Sequence, residues 1–212
     1  MKSFKISVLG ESGVGKSSIV NRFVTDHFSE YKDSTVGAAF FTKILNIDSH
    51  MIKLEIWDTA GQERYHSLAP MYYRNSHAVI IVYNLTDYKS YEKAQMWVTE
   101  ISNNYKDCSS LTHPLIYLVG NKLDLIASNL MLRKVSVEVL NKYANQNKLI
   151  LFEVSAKTGH NIIELFHDIG FHFKELNQLN PSFENKPLYK LLSNTDDKIN
   201  YKDVSRRCCG NN

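Results

Sequence analysis

Gly10-Glu-Ser-Gly-Val-Gly-Lys-Ser17 fits the pattern GxxxxGK[ST], and its flanks put it where that pattern can do chemistry. An apolar run that alternates like a strand, Phe4 to Leu9, precedes it, and a helix-compatible run, Ser17 to Thr25, follows. Strand, glycine loop and helix N-terminus together cradle phosphates, because the loop and the first helical turn present unpaired N–H groups to an anion. Gly10, Gly13 and Gly15 let the backbone turn where a side chain would obstruct the phosphate oxygens, and the loop N–H groups of Ser12, Val14 and Ser18 complete the cradle. Lys16 supplies a point charge for the β- and γ-phosphates, and the Ser17 hydroxyl can bind Mg²⁺. The blander account is a turn that only joins a strand to a helix; phosphate binding is the better reading.

The rest of the chain alternates strands and helices without internal repeats. Residues 26–40 read as irregular and polar; Phe41 to Ile47 and Met51 to Trp57 read as a hairpin across Asp48-Ser49-His50. Ala78 to Tyr83 is a continuous apolar run, expected of a central strand buried on both faces. Ser90 to Lys106 carries helical spacing (Ala94, Trp97, Val98, Ile101, Tyr105), and Pro114 opens a second buried strand, Leu115 to Val119. Leu140, Tyr143 and Ala144 suggest another helix and Leu149 to Val154 a last strand. A final helix is expected from Asn161, with Glu164 completing a capping box. Such alternation predicts an α/β fold: a mostly parallel sheet with helices on both faces and ligands at the carboxyl ends of the strands.

The bulk numbers narrow the class. The 212 residues suit one domain plus a tail, and a net charge of +3 is too mild to argue for nucleic acid. No apolar run approaches the roughly 20 residues that span a bilayer. Met1-Lys-Ser-Phe4 enters the first strand directly, so no signal peptide is expected. Three cysteines make no disulfide framework, which points to a reducing, cytosolic compartment; Cys108 reads as structural. From about Asn177 the apolar periodicity fails, which divides the chain into a domain over 1–176 and a flexible tail over 177–212.

A glycine loop alone does not separate kinase, ATPase and GTPase. Asn121-Lys-Leu-Asp124 does, because it follows the buried strand ending at Val119-Gly120. The Asp124 carboxylate can accept from the N1–H and exocyclic amino group of guanine, an edge that adenine lacks. Asn121 can serve the other side of the base, the Lys122 stem can lie over its face, and the backbone of Ser155-Ala156-Lys157 can meet the guanine carbonyl oxygen. Asp58-Thr-Ala-Gly-Gln-Glu63 offers a carboxylate for Mg²⁺ through water, a Gly61 N–H for the γ-phosphate and a Gln62 side chain to orient the attacking water. Thr35 adds a second hydroxyl for the metal. Three loops at one edge of one predicted sheet make coincidence a poor explanation.

With these motifs over residues 3–176, the sequence resembles the Ras superfamily of small GTPases. Trp57 to Tyr65, Met71-Tyr-Tyr-Arg74 and the terminal Cys208-Cys209 resemble the Rab family of vesicle-trafficking GTPases. Ser34 to Phe40 and Tyr65 to Met71 are most similar to its early-endosomal branch, the Rab five group. The resemblance implies a P-loop small-GTPase fold: a six-stranded mostly parallel sheet with one antiparallel strand and about five flanking helices. It also implies a GTP/GDP switch with Mg²⁺, in which Ser34 and Thr35 belong to one mobile segment, Gly61 and Gln62 to the other, and Phe28 flanks the base. Phe40, Trp57 and Tyr72 look like the aromatic triad that effectors read, although each alone is equally well explained as core.

The same resemblance implies slow intrinsic hydrolysis, on the order of 10⁻⁴–10⁻³ per second as for Ras, accelerated by an arginine from an activating protein. Other implied partners are an exchange factor, a Rab escort protein, a GDP-dissociation inhibitor and effectors, acting on a monomer. Cys208 and Cys209 match the double-prenylation pattern; two lipid chains anchor stably where one does not. A soluble cytosolic pool and the cytosolic face of endosomal membranes are the expected locations. Rival readings are a Rab of another vesicular station, a scaffold that binds nucleotide without hydrolysis, and a P-loop phosphotransferase. Intact Gln62, Gly61 and Thr35 argue against the second, and NKLD and SAK against the third. The chain departs from the usual Rab pattern at Ser12, Asn84, Asn75-Ser76 and over Ile126 to Lys134.

Overall fold

The alternating N-terminal run forms β1 (Lys2–Leu9), with Phe4, Ile6 and Val8 turned to one core and Leu9 to the other. A computed structural model describes residues 2–31, 33–106 and 113–179. Its other strands are β2 (Ala38–Ile47), β3 (His50–Thr59), β4 (Ala78–Asn84), β5 (Leu115–Asn121) and β6 (Ile150–Glu153). They form one sheet in the order β2-β3-β1-β4-β5-β6, in which β2 alone runs antiparallel to its neighbour. Among the described residues there are six α-helices: α1 (Lys16–Thr25), α2 (Ala69–Tyr73), α3 (Tyr88–Lys106), α4 (Leu123–Ser128), α5 (Val137–Asn147) and α6 (Ile162–Leu179). This is the Ras-type small-GTPase fold, with α2 and α4 added to the helices that the sequence pattern shows.

The sheet separates two cores. On one face Ile6, Val8, Ile80 and Val82 pack against Ile19, Val20 and Phe23 of α1 and Leu165, Phe166 and Phe173 of α6. On the other, Val79, Ile81 and Tyr83 meet Tyr91, Ala94, Trp97, Val98 and Ile101 of α3. Strict alternation along β4 therefore feeds both cores, which is why it reads as one unbroken apolar run. Stacked rings join α1 to α6, Phe23 on Phe166 with centroids 3.8 Å apart.

Several boundaries differ from the sequence reading. β2 begins at Ala38, so Ala38 to Phe40 are strand where residues 26–40 read as irregular. The hairpin turn has two residues, not three: Asp48 and Ser49 both adopt positive φ (46° and 66°), and His50 pairs with Ile47. A two-residue turn of that hand matches the strand twist. Asn161 does not form a capping box with Glu164. Its φ is 58°, outside the extended region an N-cap needs, and its amide donates back to the Glu153 carbonyl at 2.8 Å. α6 runs to Leu179, past the boundary drawn at 176. Cys108 and residues 180–212, including Cys208 and Cys209, lie outside the described residues.

Beneath α6, Tyr117 of β5 donates to Asp168 (2.9 Å), and buried His172 sits 3.3 Å from the same carboxylate. Burial pushes the His172 pKa down, but Asp168 outweighs it and, with a smaller pull from Glu175, leaves it raised above the ordinary 6.5. A raised folded-state pKa stabilises fully below the unfolded value and is lost as pH rises through the folded one. Asp168→Asn is therefore expected to cost more stability at pH 6 than at pH 8, in urea unfolding at saturating GDP. Phe166→Ala, which empties a fully buried site, is expected to cost about 3–5 kcal/mol in the same assay.

Candidate nucleotide site

Parallel pairing aligns the carboxyl ends of β3, β1, β4, β5 and β6 along one edge of the sheet, and the loops leaving them converge. A cleft of about 410 Å³ opens there. It is lined by Ser12, Gly13, Gly15, Lys16, Ser17 and Ser18 from the glycine loop and α1, and by Phe28, Ser34 and Thr35 from the segment after α1. Gly61 and Gln62, Asn121, Lys122 and Asp124, and Ala156 and Lys157 complete its wall. Gly10, Val14, Asp58 and Ser155 stand behind the wall.

Gly15 caps α1 at φ 97° without any side-chain hydrogen bond, which leaves the first-turn N–H groups to an anion. Lys16 is buried and straps the loop, donating to the carbonyls of Gly10 (2.8 Å) and Glu11 (2.9 Å). Burial lowers its pKa to about 8, against the opposing pull of Asp58 and Glu11. A phosphate beside Nζ would supply the missing counter-charge. Gly61 approaches so near that a Cβ would strike Lys16 Nζ and the Glu11 backbone.

The hydroxyls of Ser17 and Thr35 meet at 2.8 Å, bringing together two residues read from separate segments as metal ligands. Asp58 is buried at the end of β3, opposite Val8 of β1. The segments that carry Thr35 and Gly61 also touch through backbone, Ala60 N–H donating to the Gly37 carbonyl at 2.8 Å. Outside the cleft Phe40 and Trp57 are cross-strand partners with centroids 5.0 Å apart, and Tyr72 lies 6.0 Å beyond Trp57. Phe40 is 51% exposed and the other two half-buried, so the triad is a surface cluster and not core.

Asn121 carries more structure than its sequence reading assigned. Its Nδ2 donates to the Val14 carbonyl (2.9 Å), and its Oδ1 accepts from the Ala156 N–H (3.1 Å). One amide hydrogen remains for a base. Within the 155–157 backbone, read as meeting a guanine carbonyl, the Ala156 N–H is engaged by Asn121 in this geometry. Ser155 Oγ donates to Asp124 Oδ1 at 2.6 Å, fixing the carboxylate, and Lys122 turns the corner at φ 69°. Several features escaped the sequence, Ser29 and Asp33 in the cleft wall among them. Glu30 lines the cleft and pairs with Lys157 (2.6 Å), Arg22 binds the 155–157 loop, and Leu125 lines the wall. No local pattern signals contacts between residues this far apart in the chain.

The family model described as "Ras family" matches residues 5–175. The chain belongs to the Ras family. This GTPase is 44% identical over 205 residues to Ras-related protein RABF2a of Arabidopsis thaliana, covering 97% of this chain and 94% of that one. It is 48% identical over 167 residues to Ras-related protein Rab-5A of Dictyostelium discoideum, covering 79% of each. It is 49% identical over 167 residues to the GTP-binding protein ypt5 of Schizosaccharomyces pombe, covering 78% of this chain and 75% of that one. Guanine nucleotide is thus the ligand class of this GTPase, and the relatives are of the Rab five type that the motifs at 34–40 and 65–71 resemble.

A methyl at Gly15 would meet the Asn121 amide and force a strained φ, whereas one at Gly13 would meet nothing within 4 Å. Gly15→Ala is expected to weaken GDP binding at least tenfold, and Gly13→Ala less, since it carries only a backbone penalty of roughly 1–2 kcal/mol. Release of a fluorescent GDP analogue checks the order.

Proposed function

We propose that this GTPase is a Rab-type switch of early-endosomal trafficking whose two states differ in how residues 28–37 and 60–68 are held. The observation that carries the reading is the joint lining of one cleft by the glycine loop, both segments and both base-side loops, with Ser17 and Thr35 already touching. Two hydroxyls and a buried carboxylate are hard oxygen donors of the kind Mg²⁺ takes, so Ser17, Thr35 and, through water, Asp58 would hold it. The ion would neutralise charge on the β- and γ-phosphates when bound.

Each residue then has one task. Lys16 and the N–H groups of residues 13–18 hold the phosphates, and the Gly61 N–H meets the γ-phosphate. Gln62, extended at φ −79° and ψ 140°, orients the attacking water. Asp124, Asn121 and the 155–157 loop read guanine, with Lys122 over its face and Phe28 at its side. Little covalent chemistry is asked of the protein, because phosphoryl transfer is chiefly positioning and charge stabilisation. Hydrolysis removes the γ-phosphate that Gly61 meets directly and that Thr35 would hold through the metal, and both segments relax.

The exposed Phe40–Trp57–Tyr72 cluster supports effector reading of the GTP form. An exchange factor and an activating protein complete the cycle; an escort protein and a dissociation inhibitor handle a chain prenylated at Cys208 and Cys209. In this reading residues 180–212 tether the domain to the cytosolic face of endosomal membranes. Among the described residues no helix is long and apolar enough to cross a membrane.

Gln62→Leu is expected to lower activated GTP hydrolysis by about 10²-fold or more while leaving GTP binding intact, as read by phosphate release. An unchanged activated rate would remove Gln62 from the mechanism. In cells, the Cys208→Ser/Cys209→Ser double variant is expected to turn endosomal puncta diffuse. Puncta on another organelle in the parent protein would move the switch to a different station.

A further inference from the structure

Arg22 has no place in the switch cycle just described, yet it binds the cleft's last loop more extensively than any other side chain outside it. From the last turn of α1 its Nε donates to the Ala156 carbonyl at 2.9 Å and its Nη2 to the Lys157 carbonyl at 2.8 Å. Its Nη1 donates to the carbonyl of Asp26 (2.9 Å) and to that residue's carboxylate (3.2 Å). Asp26 is the left-handed residue that ends α1, two positions before Phe28 enters the cleft. The Arg22 side chain is 17% exposed; its bond to Ala156 is partly buried, while those to Lys157 and Asp26 lie at the surface.

We propose that Arg22 is a positioning residue for guanine, fixing the 155–157 loop at the height where it reads the base carbonyl and so prolonging nucleotide residence. The inference rests on that loop reading the base. A guanidinium is a rigid planar fork of donors, and here two of its arms hold consecutive carbonyls. In a trans peptide the C=O of Ala156 and the N–H of Lys157 point in opposite directions, so gripping the one aims the other away from α1. The third arm ties the same guanidinium to the start of the segment that flanks the base, so loop and segment share one anchor. A lysine offers a compact point charge and cannot hold both carbonyls in that plane.

The test measures release of GDP and of 2-aminopurine riboside diphosphate, which keeps the amino group that Asp124 reads but lacks the base carbonyl and the N1–H. The lost N1–H weakens the parent and the Arg22 variants alike and cancels when they are compared. Arg22→Ala is expected to speed GDP release about tenfold and to leave release of the carbonyl-free nucleotide nearly unchanged, shrinking the discrimination by the same factor. Arg22→Lys is expected to lie between the two. Equal acceleration of both nucleotides would show a merely structural role and overturn the proposal. If Arg22→Ala fails to fold, an unaltered discrimination ratio in Arg22→Lys overturns it. Asp124→Asn serves as the separate control. A shift there towards xanthine nucleotides with no effect in the Arg22 variants sinks this inference alone. No shift there removes the base-reading assignment and this inference with it.

Discussion

One carboxamide joins the parts of this site that the sheet by itself only brings near one another. Asn121 stands at the end of β5 and holds the glycine loop through Val14 on one side and the 155–157 loop through Ala156 on the other. The three loops leave β1, β5 and β6, and β4 separates β1 from β5 in the sheet. Without the brace the glycine loop and the 155–157 loop would lose the side chain that binds them both. Its buried position makes both hydrogen bonds expensive to lose, since an unpaired amide there would bear its full desolvation cost. The brace also sets a steric limit: Gly15 has no room for a Cβ because the Asn121 amide occupies that space. The glycine is thus demanded by the fold as well as by any phosphate.

Against that rigid frame the two switch segments are held lightly. The backbone bond of Ala60 to Gly37, the hydroxyl pair of Ser17 and Thr35, and the exposed ion pair of Glu30 and Lys157 are among the contacts that join them to each other and to the frame. Tyr31 and Val36 are largely exposed and none of Glu63–Leu68 is buried, so apart from Phe28, which packs against the core, little apolar burial opposes rearrangement. A frame fixed by buried hydrogen bonds and segments fixed by few contacts is what a switch requires. A single phosphate can then contribute a decisive share of the free energy that orders them.

What was legible in the sequence was local. The glycine loop, NKLD and SAK each fit within eight residues and follow a recognisable strand, so spacing alone placed them at one sheet edge. α2 and α4, at five and six residues, are too short to show a helical period and left no trace. The hairpin was found but its turn misjudged, because Asp48 and Ser49 adopt left-handed conformations without a glycine to announce them. Invisible too were the bonds from Arg22 to Ala156 and Lys157 and the pair Glu30–Lys157, which span 134, 135 and 127 residues. Such pairings are products of topology, and one sequence read locally contains no pattern that encodes them.

The departures at Asn75-Ser76 show how a fold absorbs an unusual pair where Gly-Ala is more usual. Asn75 takes φ 58° between α2 and β4, a conformation that asparagine tolerates better than most residues with a Cβ. Ser76 is buried, and its hydroxyl lies 2.8 Å from that of Ser7 on β1, while Ser7 donates to the Tyr72 carbonyl at 2.8 Å. The hydroxyl that an alanine would lack is therefore satisfied by a second serine on the neighbouring strand, and burying it costs little. Through this pair β1, which ends in the glycine loop, is pinned to the residue whose ring completes the exposed aromatic cluster. Ser7 already makes this tie, and Ser76 reinforces it by its bond to Ser7 and a longer one, 3.4 Å, to the same Tyr72 carbonyl.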